Sequence, residues 1–126
     1  MAIRVLVVDD SPVMRQFVCR SLRLAGVGVT ECNEAGNGKE ALDWLRQHSA
    51  DVILCDVNMP QMDGEELIER IKQDPLLHLI PILVVSADAT VPRQQRILAL
   101  GVQGYLLKPF SAELLPSELK RVLSTA

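Results

Sequence analysis

Aromatic side chains are nearly missing from this chain. Phe17, Trp44, Tyr105 and Phe110 are the whole set among 126 residues. A core built from it is therefore aliphatic. Positive charge is the minority sign, with 13 Lys and Arg against 16 Asp and Glu and a net charge of −3. An acidic surface does not draw in nucleic acid or anionic membrane by its field alone, which argues against direct nucleic-acid binding. No stretch approaches the roughly 20 apolar residues that a spanning helix needs. The first apolar run is shorter than a signal h-region and ends in two acids, so a soluble, cytoplasmic chain without membrane insertion is expected. Cysteine is scarce and odd in number: Cys19, Cys32 and Cys55, with no CxxC spacing and with His48 and His78 far from each. The expectation is reduced, mostly buried thiols rather than zinc ligands or a disulfide.

What the chain does have is order. Short β-branched apolar runs alternate five times with helical patterns. The runs are Ile3 to Val8, a weaker one around Val27 to Cys32, then Val52 to Val57, Ile82 to Val85 and Tyr105 to Leu107. After the first run, Val13, Met14, Phe17, Val18, Leu22 and Ala25 recur at helix spacing. Ser11-Pro12 supplies a cap and a first-turn proline, and Gly26 a stop. Asn37-Gly38 opens a second helix through Ala41, Leu42 and Leu45. A third, with Leu67, Ile68 and Ile71, ends at Asp74-Pro75, because the residue before proline disfavours α geometry. A fourth runs from about Val91 to Leu100 and stops at Gly101, and a fifth reaches about Ser124. The fold class is α/β, a (βα)5 unit with a doubly wound parallel sheet covered on both faces. One domain over residues 1 to 126 is expected. Pro116 conflicts with the last helix: either the helix proper starts near Ser117, or it is kinked.

Polar residues collect where these strands end. The first run is followed by Asp9 and Asp10, the third contains Asp56 with Asn58 two residues on, the fourth is followed by Ser86, and the fifth by Lys108. In an open parallel sheet the strand C-termini share one edge, and sites form there where strand order reverses. Taken singly each residue has a bland reading. The Asp pair suits a helix N-terminus, Asp56 can simply end a strand, Ser86 can cap a helix, and Lys108 can sit in solvent. Together they supply what phosphoryl transfer requires. If the first and third strands are neighbours, three carboxylates converge, and a hard divalent cation such as Mg²⁺ relieves their repulsion. A lysine and a hydroxyl add a cation and a donor for phosphoryl oxygens, and a carboxylate nucleophile yields an acyl phosphate.

Asp9-Asp10, Asp56 with the trailing Met59-Pro60-Gln61-Met62-Asp63-Gly64, Ser86-Ala87 and Lys108-Pro109-Phe110 resemble the signature of response-regulator receiver domains, over about residues 3 to 124. The resemblance implies a flavodoxin-like sheet of order 2-1-3-4-5. It implies a two-component phosphorelay role, with Asp56 taking a phosphoryl group from a sensor histidine kinase or a histidine phosphotransfer protein. Asp10 and Asp56 would ligate Mg²⁺ by side chain, Asp9 directly or through water, and Asn58 by its main-chain carbonyl. Lys108 would pair with a phosphoryl oxygen. Ser86 and Tyr105 would act as switch residues, presenting an altered surface on the fourth helix, fifth strand and fifth helix to an output protein. Asn58 and Asp88 would tune dephosphorylation, and Lys108-Pro109 would be cis. Serine stands at position 86 where threonine is commoner. Phe110 reads as a packing residue after the turn, Met59 and Met62 as loop contacts, and Trp44 as an amphipathic filler on the second helix or the mark of a partner surface.

Two other classes compete. A haloacid-dehalogenase-type phosphatase also uses an aspartyl nucleophile with Mg²⁺, but it wants a second acid two residues after the first, where this chain has Asn58, and a cap insertion. A flavodoxin-like cofactor binder wants a Ser/Thr/Gly-rich loop after the first strand, where Asp9-Asp10 would repel a phosphate.

Overall fold

The computed structural model describes residues 2–124. Met1, Thr125 and Ala126, which belong to the expected single domain, lie outside the described residues. The elements alternate strictly: β1 Ile3–Val8, α1 Pro12–Leu24, β2 Val29–Ala35, α2 Gly38–Leu45, β3 Val52–Cys55, α3 Gly64–Gln73, β4 Ile82–Ser86, α4 Val91–Ala99, β5 Gly104–Leu107 and α5 Leu114–Ser124. The five strands form one sheet of order β2-β1-β3-β4-β5. All four pairings are parallel.

The sheet is buried on both sides. Along β1, Val5 and Val7 join a cluster with Val18 and Leu22 of α1 and Leu115, Leu119 and Val122 of α5. Leu6 and Val8 join the opposite cluster, which holds Leu42 of α2, Leu67 and Ile71 of α3, and Ile97 of α4. This period-2 division of fully apolar strands is why they read as continuous hydrophobic runs. The core is aliphatic: Leu54, Leu83 and Ile53 are at most 1% exposed. Truncating one of them to alanine costs about 2–5 kcal/mol through lost transfer energy and a cavity.

Local signals set the helix starts. Ser11 Oγ accepts from the Met14 N–H at 3.2 Å. Asn37 accepts from the Glu40 N–H at 2.9 Å, and Asp63 accepts from the Glu66 N–H at 2.9 Å. Each satisfies an otherwise orphaned donor. Gly26, at φ +66°, closes α1 in the left-handed region.

Four sequence expectations need correcting. The second strand lies at Val29–Ala35, not Val27 to Cys32. It is an edge strand with Glu31 and Glu34 exposed, so no continuous apolar run marks it. The third strand ends at Cys55, so Asp56 and Val57 lead out of it. Cys19 and Cys32 are joined as a disulfide, with Cα atoms 5.8 Å apart, rather than standing as separate thiols. The α1–β2 return brings an inward position of the helix against the neighbouring edge strand, which a spacing of 13 residues does not advertise. Finally, α5 begins at Leu114, ahead of Pro116. Pro116 falls in the first turn, where backbone N–H groups have no intrahelical acceptor, so its missing donor removes nothing.

Candidate functional site

The parallel register aligns the C-terminal ends of β1 and β3: Val8 pairs with Cys55, and the Asp56 N–H donates to the Val8 carbonyl at 2.8 Å. Asp9, Asp10 and Asp56 therefore leave adjacent strands together. Carboxylate oxygens of all three lie within 4.8 Å of one another. Asp9 is buried, Asp10 is exposed, and Asp56 is 8% exposed. The cluster thus forms a small recess at the strand ends, with Asp9 the deepest, Asp56 next and Asp10 open to solvent.

Each carboxylate is oriented differently. Asp9 Oδ1 accepts from the Ser11 N–H at 2.9 Å, and Asp9 Oδ2 accepts from Lys108 Nζ at 2.9 Å. Asp56 Oδ1 accepts from the Val57 N–H at 2.7 Å. Asp56 Oδ2 lies 3.7 Å from Lys108 Nζ. Lys108 reaches in from the end of β5, immediately before the cis Lys108-Pro109 bond that the resemblance implies. Burial raises the Asp56 pKa above the ordinary carboxylate value; Lys108 opposes this, Asp9 and Asp10 add to it, and the Val57 N–H opposes it. The recess therefore carries more negative charge than one lysine offsets. The donor set is all oxygen and anionic, which fits a hard divalent cation such as Mg²⁺ and suits neither zinc nor copper.

Across the recess, Ser86 ends β4 and is fully buried. Its Oγ accepts from the Asp88 N–H at 3.1 Å. Tyr105 of β5 donates its hydroxyl to the Asp88 carbonyl at 2.7 Å. Burial raises its phenol pKa, partly opposed by a hydrogen bond with Ser86. The Asp88 carboxylate is held below its usual pKa first by Thr90, whose hydroxyl and N–H both donate to it, with Arg93 and Asn58 contributing. Asn58 is exposed at the rim. Met59 and Met62 pack against the α2–α3–α4 core, and Phe110 packs on the other face, its ring 6.1 Å from Phe17. Trp44 stacks on His48 at 4.7 Å, away from these groups.

The fold thus brings together the acids, lysine and serine expected from the sequence. Two further residues that no sequence motif marks join them. Arg15 donates to the Asp9 carbonyl at 2.6 Å and pairs with Glu34. Arg93 of α4 lies among three carboxylates. Both sit at polar helix positions, where an arginine gives no periodic signal.

A site of this build on a sheet of this order defines a phosphoacceptor switch, and comparison with known proteins agrees. Residues 5–120 match the response regulator receiver domain model. The chain belongs to that family. It is 34% identical over 119 residues to the chemotaxis protein CheY of Pseudomonas aeruginosa, covering 94% of each chain. It is 37% identical over 115 residues to the sensor histidine kinase RcsC of Salmonella typhimurium, covering 91% of this chain and 12% of that protein. Among solved structures, the chemotaxis response regulator CheY4 of Vibrio cholerae superposes with a TM-score of 0.87 at 37% identity, over 97% of this chain and 99% of that one. The protein is a receiver domain of the two-component type, a phosphoacceptor in signal transduction. The haloacid-dehalogenase phosphatase reading finds no support in these relationships.

Proposed function

We propose that Asp56 is the phosphoacceptor and that the chain acts as a Mg²⁺-dependent receiver for a sensor histidine kinase or a histidine phosphotransfer protein. The observation that carries this is the convergence of Asp9, Asp10 and Asp56 within 4.8 Å of one another, beside Lys108. A carboxylate oxygen of Asp56 attacks phosphorus, the P–N bond of the donor phosphohistidine breaks, and the imidazole nitrogen leaves with the bonding pair. The side chains of Asp10 and Asp56, with Asp9 directly or through water and the Asn58 main-chain carbonyl, would hold Mg²⁺, which supplies charge neutralisation for the phosphoryl oxygens. Lys108 reaches a phosphoryl oxygen from the opposite side and screens the charge that collects there.

The new group adds about −1.5 to −2 charges at one point. The Ser86 hydroxyl turns toward it as a donor, Tyr105 exchanges its partner and moves inward, and the face formed by α4, β5 and α5 changes shape. Phosphate thus favours one of two packings, and an output protein that recognises the altered face reads it. The chain turns over no external substrate. It promotes its own phosphorylation and hydrolysis, with Asn58 and Asp88 orienting the attacking water. It works in the cytoplasm as one receiver domain, by protein contact and without binding nucleic acid. No described helix is long and apolar enough to cross a membrane. In a reducing compartment Cys19 and Cys32 stand as neighbouring thiols.

Labelling with radioactive acetyl phosphate tests the assignment. Wild type incorporates label only with Mg²⁺, chelator stops it, and Asp56→Asn abolishes it. Equal labelling of the Asn variant, or full labelling without metal, overturns the reading.

A further inference from the structure

The Arg93 guanidinium stands where helix electrostatics disfavour it. It occupies the first turn of α4, which begins at Val91, close to the positive end of the helix dipole. Three carboxylates from two other segments surround it. Arg93 Nε lies 3.0 Å from Glu65 Oε1, Nη2 3.4 Å from Asp63 Oδ2, and Nη1 3.9 Å from Asp88 Oδ2. Asp63 caps α3 and Glu65 lies in its first turn, so both follow the loop that leaves Asp56. Asp88 belongs to the β4–α4 loop, two residues past Ser86. The side chain is 21% exposed, so these pairs are partly shielded from solvent. Nε is buried, and its 3.0 Å approach to Glu65 is not aligned as a hydrogen bond, so that contact is chiefly charge attraction.

We infer that Arg93 is a positioning residue: an ionic clasp that joins the β4–α4 loop to the start of α3 and holds the switch in its resting arrangement. The inference rests on Asp56 being the phosphoacceptor and Ser86 the hydroxyl that answers it. In the resting arrangement the Asp88 N–H occupies Ser86 Oγ, and the Asp88 carbonyl occupies the Tyr105 hydroxyl. Asp88 is thus bonded to both switch residues through its backbone and held by Thr90 and Arg93 through its side chain. When Ser86 turns to a new partner and Tyr105 moves inward, the Asp88 N–H and carbonyl lose theirs, and a shift of residue 88 to regain partners works against the clasp. Partly exposed ion pairs contribute modestly one by one, so three of them bias the two packings by about three- to tenfold. A ligand that favours the switched state must work against that bias, and removing the clasp tightens its apparent binding by the same factor.

Beryllofluoride with Mg²⁺, titrated into the full chain, tests the idea. Wild type binds and Asp56→Asn does not. Arg93→Gln binds about three- to tenfold more tightly than wild type. Arg93→Lys, which keeps the charge, falls between them. Glu65→Gln, which leaves Arg93 in place, shifts in the same direction as Arg93→Gln. The gap between wild type and Arg93→Gln narrows at 1 M salt, where the screening length is about 3 Å. In metal-free protein, amide exchange of residues 87–90 is faster in Arg93→Gln than in wild type, a change that simple loss of global stability would spread over the sheet as well. If Arg93→Gln and Glu65→Gln both fold and bind beryllofluoride like wild type, the clasp is refuted while the phosphoacceptor stands. If wild type does not bind through Asp56, both fall.

Discussion

Lys108 Nζ donates to Asp9 Oδ2 at 2.9 Å across 99 residues of sequence, and only then comes within 3.7 Å of Asp56. The resting lysine is therefore held by the buried Asp9 and not by the residue assigned as acceptor. Replacing it leaves the Asp9 and Asp56 carboxylates without their cation. Lys108→Ala is expected to lower the stability of metal-free protein by about 1.5–3 kcal/mol, the range for hydrogen bonds to charged groups. Mg²⁺ should then stabilise the variant by more than it stabilises wild type, because the ion meets less competing positive charge. Urea unfolding with and without Mg²⁺ reads both quantities. An unchanged midpoint in the metal-free variant would mean that Asp9 needs no partner.

The raised pKa of Asp56 has a definite sign in stability. Burial is the largest cause, and Asp9 and Asp10 reinforce it against Lys108 and the Val57 N–H. The folded state thus holds the Asp56 proton more tightly than the unfolded chain, whose value is about 3.9. Between the unfolded and folded values the native state binds more protons, so this group's contribution to stability falls as pH rises through that window and is flat above it. Metal-free Asp56→Asn should therefore be more stable than wild type at neutral pH, with the gap closing as pH drops toward about 4. Added Mg²⁺ should reduce or reverse the gap by binding wild type better. Thermal midpoints across that range, with chelator, decide it. Parallel curves for the two proteins would remove Asp56 from the pH dependence.

Much of this molecule is legible in its sequence, for a physical reason. Strands buried on both faces must be apolar throughout, so β1 and β4 stand out, and the acids, serine and lysine that follow such runs share the one edge of a parallel sheet. The same logic fails for β2. An edge strand buries fewer side chains, and Thr30, Glu31 and Glu34 dilute the pattern. Pro116 misleads because sequence shows a proline among helix formers but not how many residues precede it in the helix. Arg93 also reaches Asp63 and Glu65, and Arg15 reaches Glu34, partners distant in sequence that nothing in their neighbours announces.

The Cys19–Cys32 bridge escaped for that last reason too. It ties α1 to β2 across 13 residues. A cross-link closing a loop of about this size contributes roughly 3 kcal/mol by the chain-entropy account. Cys32→Ser, or reduction of wild type, should lower unfolding stability by about 2–3 kcal/mol in oxidised preparations. Thiol counting in denaturant gives the pairing directly: Cys55 alone reacts before reduction, and all three cysteines react afterwards. In native protein Cys55 should stay inert, since burial, with Asp56 and Asp9 adding to it, pushes its thiol pKa far up. Three reactive thiols in unreduced, denatured protein would show the pair open.

Gly64 stands where the acceptor loop meets α3. Its N–H donates to the Val57 carbonyl at 2.7 Å, and a β-carbon added there would overlap the Asp56 carbonyl and lie 2.8 Å from Val57 Cα. These neighbours are backbone, so no side chain can swing aside, and the acceptor residue itself must shift. Gly64→Ala should cost about 1–3 kcal/mol as overpacking. It should also slow Asp56 labelling by about 10- to 100-fold, since misplacing a reacting group by an ångström has effects of that order. Gly26 provides the contrast. It has φ +66° and nothing within 4 Å of its would-be β-carbon. Gly26→Ala should therefore cost about 1–2 kcal/mol of backbone strain and leave labelling at the wild-type rate. Comparable stability losses with labelling slowed only in Gly64→Ala would trace the effect to the position of Asp56. Equal slowing in both would trace it to stability alone and remove Gly64 from the site.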